Sequence, residues 1–108
     1  MNLRDLARDK PCMVRLPGIC NGDPATTVLA HYRLSGTCGG GMKPDDWQGA
    51  WACSACHDEA DRRTRKLETD FVRLCHAEGM IRTLYQIVRH HPAVLIAYVT
   101  KRFLGRAA

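Results

Sequence analysis

Apolar residues fall along the chain in stretches of different period, and each period predicts a different element. Leu3, Leu6 and Ala7 stand at helical spacing, with Asn2 placed as N-cap and Pro11 beyond them, so a short helix opens the chain. Cys12 to Leu16 reads as a short strand, closed by the turn at Pro17-Gly18 and a second turn cluster from Cys20 to Pro24. Thr26 to Arg33 is rich in β-branched residues and predicts a strand. Alternation along it puts His31 on the side of Leu29 and Thr27, away from Ala30 and Tyr32. Ser35 to Asp46 is a loop containing Gly36, Gly39, Gly40 and Gly41, and Gln48 to Ala52 returns as a second extended segment.

Helical spacing resumes at Ser54, an expected N-cap, and runs to Arg63, with Asp58 and Glu59 near the positive end of the helix dipole. A longer helix is predicted from Glu68 to His90. Its expected apolar stripe is Phe71, Leu74, Cys75, Ile81, Leu84, Ile87 and Val88, with Gly79 as a weak point. Pro92 suits the first turn of a last helix carrying Val94, Leu95, Tyr98, Val99 and Phe103; a buried strand from Ala93 to Thr100 is the alternative.

With 108 residues the chain is expected to be a single domain with one modest core. Aromatics make up 6% of it, few enough that a covalent or metal staple would help. The charged N-terminus is unlike a signal peptide, and no apolar run approaches the ~20 residues of a membrane span. A cytoplasmic protein without a membrane partner is expected. There, six cysteines serve more readily as metal ligands or free thiols than as disulfides. The net charge of +5 is uneven, with six basic and five acidic residues before Cys53 against ten and six from there on. A basic second half suits a polyanion, and equally a solvated helix face.

The chemistry-bearing feature is Cys53-Ser54-Ala55-Cys56-His57, preceded by the pair Cys12 and Cys20. C-x-x-C presents two thiolates to one ion from a tight turn, and zinc takes four ligands in a tetrahedron. Cys12, Cys20, Cys53 and Cys56 are therefore assigned to a structural zinc, although seven residues rather than two separate the first pair. Cys38 is a substitute ligand, His57 could displace Cys12 or Cys20, and Cys75 reads as a buried free thiol. C-x-x-C-H also marks c-type haem attachment, which would leave the first pair idle.

Cys53-x-x-Cys56-His57 on an opening helix, after a strand ending Ala30-His31, resembles the HNH (ββα-metal) nuclease motif. With the stretches Cys12 to Gly22, Val28 to His31 and Ala52 to Glu59, the chain resembles the prophage-encoded YbcO-like nuclease family over most of residues 3 to 80. The resemblance implies an α+β fold: a zinc-stapled ββα-metal core over about residues 11–66, with a C-terminal helical extension over about 67–108. It also implies a metal-dependent endonuclease acting on double-stranded DNA. His31 would be the general base and His57 a ligand of a catalytic Mg²⁺, Mn²⁺ or Zn²⁺. Asp61, one helical turn after His57, is a candidate second ligand or an orienting group for it.

Two positions depart from the common HNH pattern. Ala30 stands where an acidic residue usually precedes the base, and Gln48 where an asparagine is usual. Gln48 could orient His31 through its amide, and Asp61, Asp45 or Asp46 could replace the acid. Arg62, Arg63, Arg65 and Lys66 follow the metal helix and could bind flanking phosphates. Trp47 and Trp51 are read as core residues, and His76, His90 and His91 as ordinary ones. Two other functions compete with cleavage: a zinc-stapled nucleic-acid-binding module that cuts nothing, and a structural or partner-binding phage protein. Oligomeric state stays open.

Overall fold

The computed structural model describes residues 1–39 and 41–105; Gly40 of the glycine loop and Arg106 of the basic tail lie outside the described residues. In chain order the elements are α1 (Leu3–Leu6), a 3-10 turn (Pro24–Thr26), β1 (Val28–His31), β2 (Gly49–Ala52), α2 (Ser54–Ala60), α3 (Thr69–His90) and α4 (Pro92–Phe103). Among the described residues this is a small α+β arrangement of four α-helices and a two-stranded sheet. No helix among the described residues is long and apolar enough to cross a membrane.

β1 and β2 pair antiparallel, with Val28 opposite Ala52 and His31 opposite Gly49. All four β2 residues are buried, so alternation sends Trp51 to one hydrophobic cluster and Ala50 and Ala52 to another. The first cluster joins Trp51 to Leu3, Leu6, Ala7, Met13 and Ile87; the second gathers Val14, Leu16, Ala30 and Val72 around Cys53 and Cys56. Both tryptophans pack in the first cluster. Two elements outside the sheet complete β2's hydrogen bonding: the Met13 N–H donates to the Trp51 carbonyl (2.7 Å), and the Trp51 N–H to Thr83 Oγ1 (2.9 Å).

Several expectations need correction. Cys12 to Leu16 forms no strand, because Arg15 takes a left-handed backbone (φ 57°) and curls the segment back on Cys12. The N-cap of α2 is Cys53, whose sulfur accepts from the Cys56 N–H at 3.4 Å, rather than Ser54. α2 stops at Ala60, and Arg62 turns the chain with φ 62°. Glu59 lies in the buried part of α2 rather than at its dipole-facing end.

The inward face of α3 is also different. It is Val72, His76, Gly79, Thr83 and Ile87, whereas Phe71, Leu74, Ile81 and Val88 are exposed. Gly79 stands at the middle of that face because α3 runs hard against backbone there. A Cβ on Gly79 would lie 2.9 Å from the Met13 carbonyl oxygen and 3.0 Å from Val14 Cα. Gly79 is thus a contact point and not a weak one. The last segment is helical, with Val94, Leu95 and Tyr98 packed on the first cluster and Val99 and Phe103 exposed.

Candidate metal centre and adjoining basic cleft

Cys12, Cys20, Cys53 and Cys56 converge, their sulfurs all within 4.8 Å of one another. The long spacing of the first pair is explained by its fold. The Leu16 carbonyl accepts from both Ile19 N–H (3.1 Å) and Cys20 N–H (2.9 Å), so the loop doubles back. Leu16 is fully buried and its own N–H donates to Cys56 Sγ at 3.4 Å. Arg15 N–H points at Cys12 Sγ (3.5 Å) and Asn21 N–H at Cys53 Sγ (3.4 Å). Backbone donors aimed at sulfur favour thiolate over thiol.

The cluster's titration fits a cation site. A hydrogen bond with Cys56 pulls the Cys12 thiol down to about 4, while that same bond and burial push Cys56 far up. Burial pushes Cys20 up as well. Four sulfurs this close cannot all ionise unless a cation balances them, and a soft dication suits thiolates. This set can hold a metal ion. Cys38 and Cys75 take no part in it.

Next to this centre a cleft of about 630 Å³ opens between β1, α2, α3 and the N-terminal helix. His31, His57, Asp61 and His76 lie on its walls, with Arg4, Arg33, Lys43, Arg63 and Arg73 around them. His31 Nε2 sits 2.8 Å from Asp46 Oδ1. A carboxylate only accepts, so Nε2 is the donor in this contact and Nδ1 is the nitrogen that Asp46 leaves free. Arg4 also pairs with Asp46 (3.3 Å), and the Asp46 N–H donates to Tyr98 Oη (3.0 Å). Tyr98 donates in turn to Asp45 (3.2 Å), which Arg102 also holds (2.9 Å).

His57 and Asp61 meet across one turn of α2, Nε2 to Oδ2, at 3.1 Å. Gln48 is turned elsewhere: its amide donates to the Tyr32 carbonyl (2.9 Å) and to Thr37 Oγ1 (2.7 Å), fastening the exit of β1 to the glycine loop. Of the four basic residues after α2, Arg63 lines the cleft, Arg65 and Lys66 are exposed outside its lining, and Arg62 pairs with Glu59.

Three residues escaped the sequence reading. His76 is 5% exposed on the cleft floor, with its Nε2 2.9 Å from the Ala30 carbonyl, and burial holds its pKa down. Its spacing on α3 from Val72 and Gly79 was the available signal, hidden by the louder Phe71–Leu74 pattern. Glu59 is fully buried and accepts from Thr64 Oγ1 (2.5 Å), Lys66 N–H (2.8 Å) and Leu67 N–H (2.7 Å). Those bonds hold its carboxyl below the usual range, the Thr64 bond most of all. Asn21 ties the metal loop to α2 by donating to Ser54 Oγ at 3.0 Å.

Fold and site together define a small α+β protein with a four-cysteine centre beside a histidine-lined basic cleft. The family model described as "Putative nuclease YbcO" matches residues 1–91, and the chain belongs to that family. It is 55% identical over 82 residues to "Putative nuclease YbcO" of Escherichia coli strain K12, covering 76% of this chain and 85% of the relative. The protein of the same name from Enterobacteria phage 82 matches at the same identity and coverage. A solved structure described as "a putative bacteriophage protein" from E. coli K-12 substrain MG1655 superposes with a TM-score of 0.70 at 45% identity, over 80% of this chain and 95% of that one. α4, from Pro92 onward, lies beyond the family match.

Proposed function

We propose that the chain is a metal-dependent endonuclease of HNH (ββα-metal) type, of phage or prophage origin, hydrolysing phosphodiester bonds in double-stranded DNA. One observation carries this reading: His31 is held by Asp46 at 2.8 Å on the wall of a basic cleft that His57 and Asp61 also line. The relatives' printed name supports nucleic acid as the substrate. In this reading β1, β2 and α2 serve as the ββα unit, and zinc on the four cysteines would fix β2 and α2 to the loop of residues 12–20.

In this mechanism His31 Nδ1 takes the proton from the attacking water, and Asp46 orients the ring and steadies the imidazolium that forms. Asp46 thereby fills the orienting role at the base, since the Gln48 amide N–H groups are taken by Tyr32 and Thr37. His57 and Asp61 would hold a Mg²⁺, Mn²⁺ or Zn²⁺ ion, which supplies charge stabilisation at the scissile phosphate and leaving oxygen. Arg33, Lys43, Arg63 and Arg73 bind the phosphates on either side. Arg65 and Lys66 add positive charge beyond the cleft, while Arg62 supports the turn through Glu59.

The test is nicking of supercoiled plasmid with Mg²⁺ or Mn²⁺. His31→Ala removes the base and loses about 10²–10⁴-fold in rate, with bound zinc unchanged. Asp46→Asn keeps the shape but loses the charge, and falls in between. Equal cutting by wild type and His31→Ala sinks the assignment.

A second reading has its own support. Ala30 is fully buried and offers no ligand, and among the described residues the four cysteines are the one gathered set of three or more metal donors. A zinc-stapled module that binds nucleic acid without cutting it would have these features. It would bind duplex DNA with steep salt dependence and leave plasmid intact under every metal.

A further inference from the structure

The outward face of α3 carries a seven-residue repeat that the fold leaves uncovered. Leu74, Ile81, Tyr85 and Val88 are 55%, 64%, 57% and 56% exposed, and Phe71 is 40% exposed. Together with Glu78 these residues are spaced by alternating steps of three and four along one helix, the a/d pattern of a helix that packs against another helix. A solvated helix would show polar residues there. The five apolar side chains offer on the order of 500 Å² of contiguous surface, at the upper end of what a soluble monomer leaves open.

The seam is also its own image when the chain direction is reversed. Reversal about the midpoint of Gly79 and Met80 carries Phe71 onto Val88, Leu74 onto Tyr85 and Glu78 onto Ile81. An antiparallel copy of α3 therefore meets every a residue with a d residue. The one charged seam position fits the same symmetry. Glu78 falls within one residue of the level of Arg82 on the second copy, and within its own chain Arg82 already lies 3.5 Å from it. Each carboxylate then sits between two guanidinium groups at the centre of the contact. Apolar residues with a polar rim over this length supply a large part of the ~800 Å² per partner of a stable interface.

We propose that the occupant of this face is a second copy of this chain, packed α3 against α3, antiparallel, about a twofold axis that crosses the outward face between Glu78 and Ile81. The contact is isologous and closes on itself, so it yields a dimer and not a filament. It uses no residue of the metal centre or of the proposed chemistry, so it stands or falls separately from the nuclease reading.

The experiment is sedimentation velocity and light scattering on the full zinc-loaded chain. Wild type is expected at about twice the monomer mass of 12.1 kDa. Ile81→Asp is expected at the monomer mass, with circular dichroism and zinc content unchanged because the side chain is 64% exposed. Glu78→Leu makes the seam wholly apolar and should tighten the dimer about tenfold or more. A photo-crosslinker at position 88 should capture the peptide containing Phe71 of the second copy. Wild type that stays monomeric at about 100 μM overturns the proposal, since a second copy is then not the occupant. So does a dimer that survives Ile81→Asp, or a crosslink joining position 88 to itself.

Discussion

Gly79→Ala should destabilise this protein, although the same change inside a helix usually stabilises. The ordinary expectation is about 1 kcal/mol in alanine's favour from helix propensity. Here the added methyl would sit 2.9 Å from the Met13 carbonyl oxygen, 3.0 Å from Val14 Cα and 3.0 Å from Val14 Cγ2. Two of those atoms are backbone and cannot rotate away, so α3 must move outward. Overpacking of this kind costs about 1–3 kcal/mol, and contacts this short with backbone belong to the upper part of that range, so a net loss of up to about 2 kcal/mol is left after the propensity gain. For a chain of this size that lowers Tm by up to roughly 10 °C. The shift also stretches the Arg82–Met13 carbonyl bond (2.8 Å) and disturbs the loop that carries Cys12. Thermal and urea unfolding in zinc-saturated buffer measure the loss. Ala97→Gly, at an exposed position of α4, calibrates the propensity term alone. A Gly79→Ala protein with unchanged or higher Tm would refute the argument that α3 packs directly on the 13–14 backbone.

Three further perturbations probe other parts of the structure. Strong chelation should lower Tm sharply and exchange thiols into reactivity, because removing the cation leaves four sulfurs crowded within 4.8 Å; unchanged melting after complete metal removal would show that the centre is not a staple. Glu59 has a depressed carboxyl pKa in the fold, so its contribution is full above the unfolded value near 4.5 and disappears as pH falls through the lower folded value. Glu59→Gln should therefore lower stability at pH 7 and flatten the acid limb of the stability curve, and an unaltered acid limb would count against that role. Tyr98→Phe removes the hydroxyl that accepts from Asp46 N–H and donates to Asp45, at a cost of about 1 kcal/mol. If α4 braces His31 in its proposed role as base, nicking falls several-fold while salt-dependent DNA binding holds; equal nicking would separate α4 from the site.

Local signals were enough for much of the outline. Asn2 as a cap, Glu68 and Pro92 at helix starts, and C-x-x-C at the head of α2 each act through their immediate neighbours, and the structure has them in those roles. The strand expected over Thr26 to Arg33 is shorter, Val28 to His31, because the Asp23-capped 3-10 turn takes Thr26 and ends at Thr27. The convergence of Cys12 and Cys20 on Cys53 and Cys56 was readable too, since few other arrangements satisfy two thiol pairs in one small chain. What spacing could not reveal is which face of α3 turns inward. Apolar content pointed to Phe71, Leu74 and Ile81, yet the backbone of Met13 and Val14 comes so close that only a glycine fits opposite it, and Gly79 turns inward together with Val72, His76, Thr83 and Ile87. The partner of His31 was equally hidden. Asp45, Asp46 and Gln48 were all within reach along the chain, and the choice fell to Asp46 because Tyr32 and Thr37 take the Gln48 amide while Tyr98, fifty-two residues on, supports the Asp46 backbone.

The amino-acid order alone decided that four thiols would share a centre and that helices would follow it, because both outcomes depend on contacts a few residues apart or on a ligand set with one economical solution. Only the folded chain decided how close α3 approaches the metal loop, which carboxylate holds the histidine, and which apolar surface is left without a neighbour. Those are matters of volume and direction between segments far apart in sequence, and no local pattern encodes them.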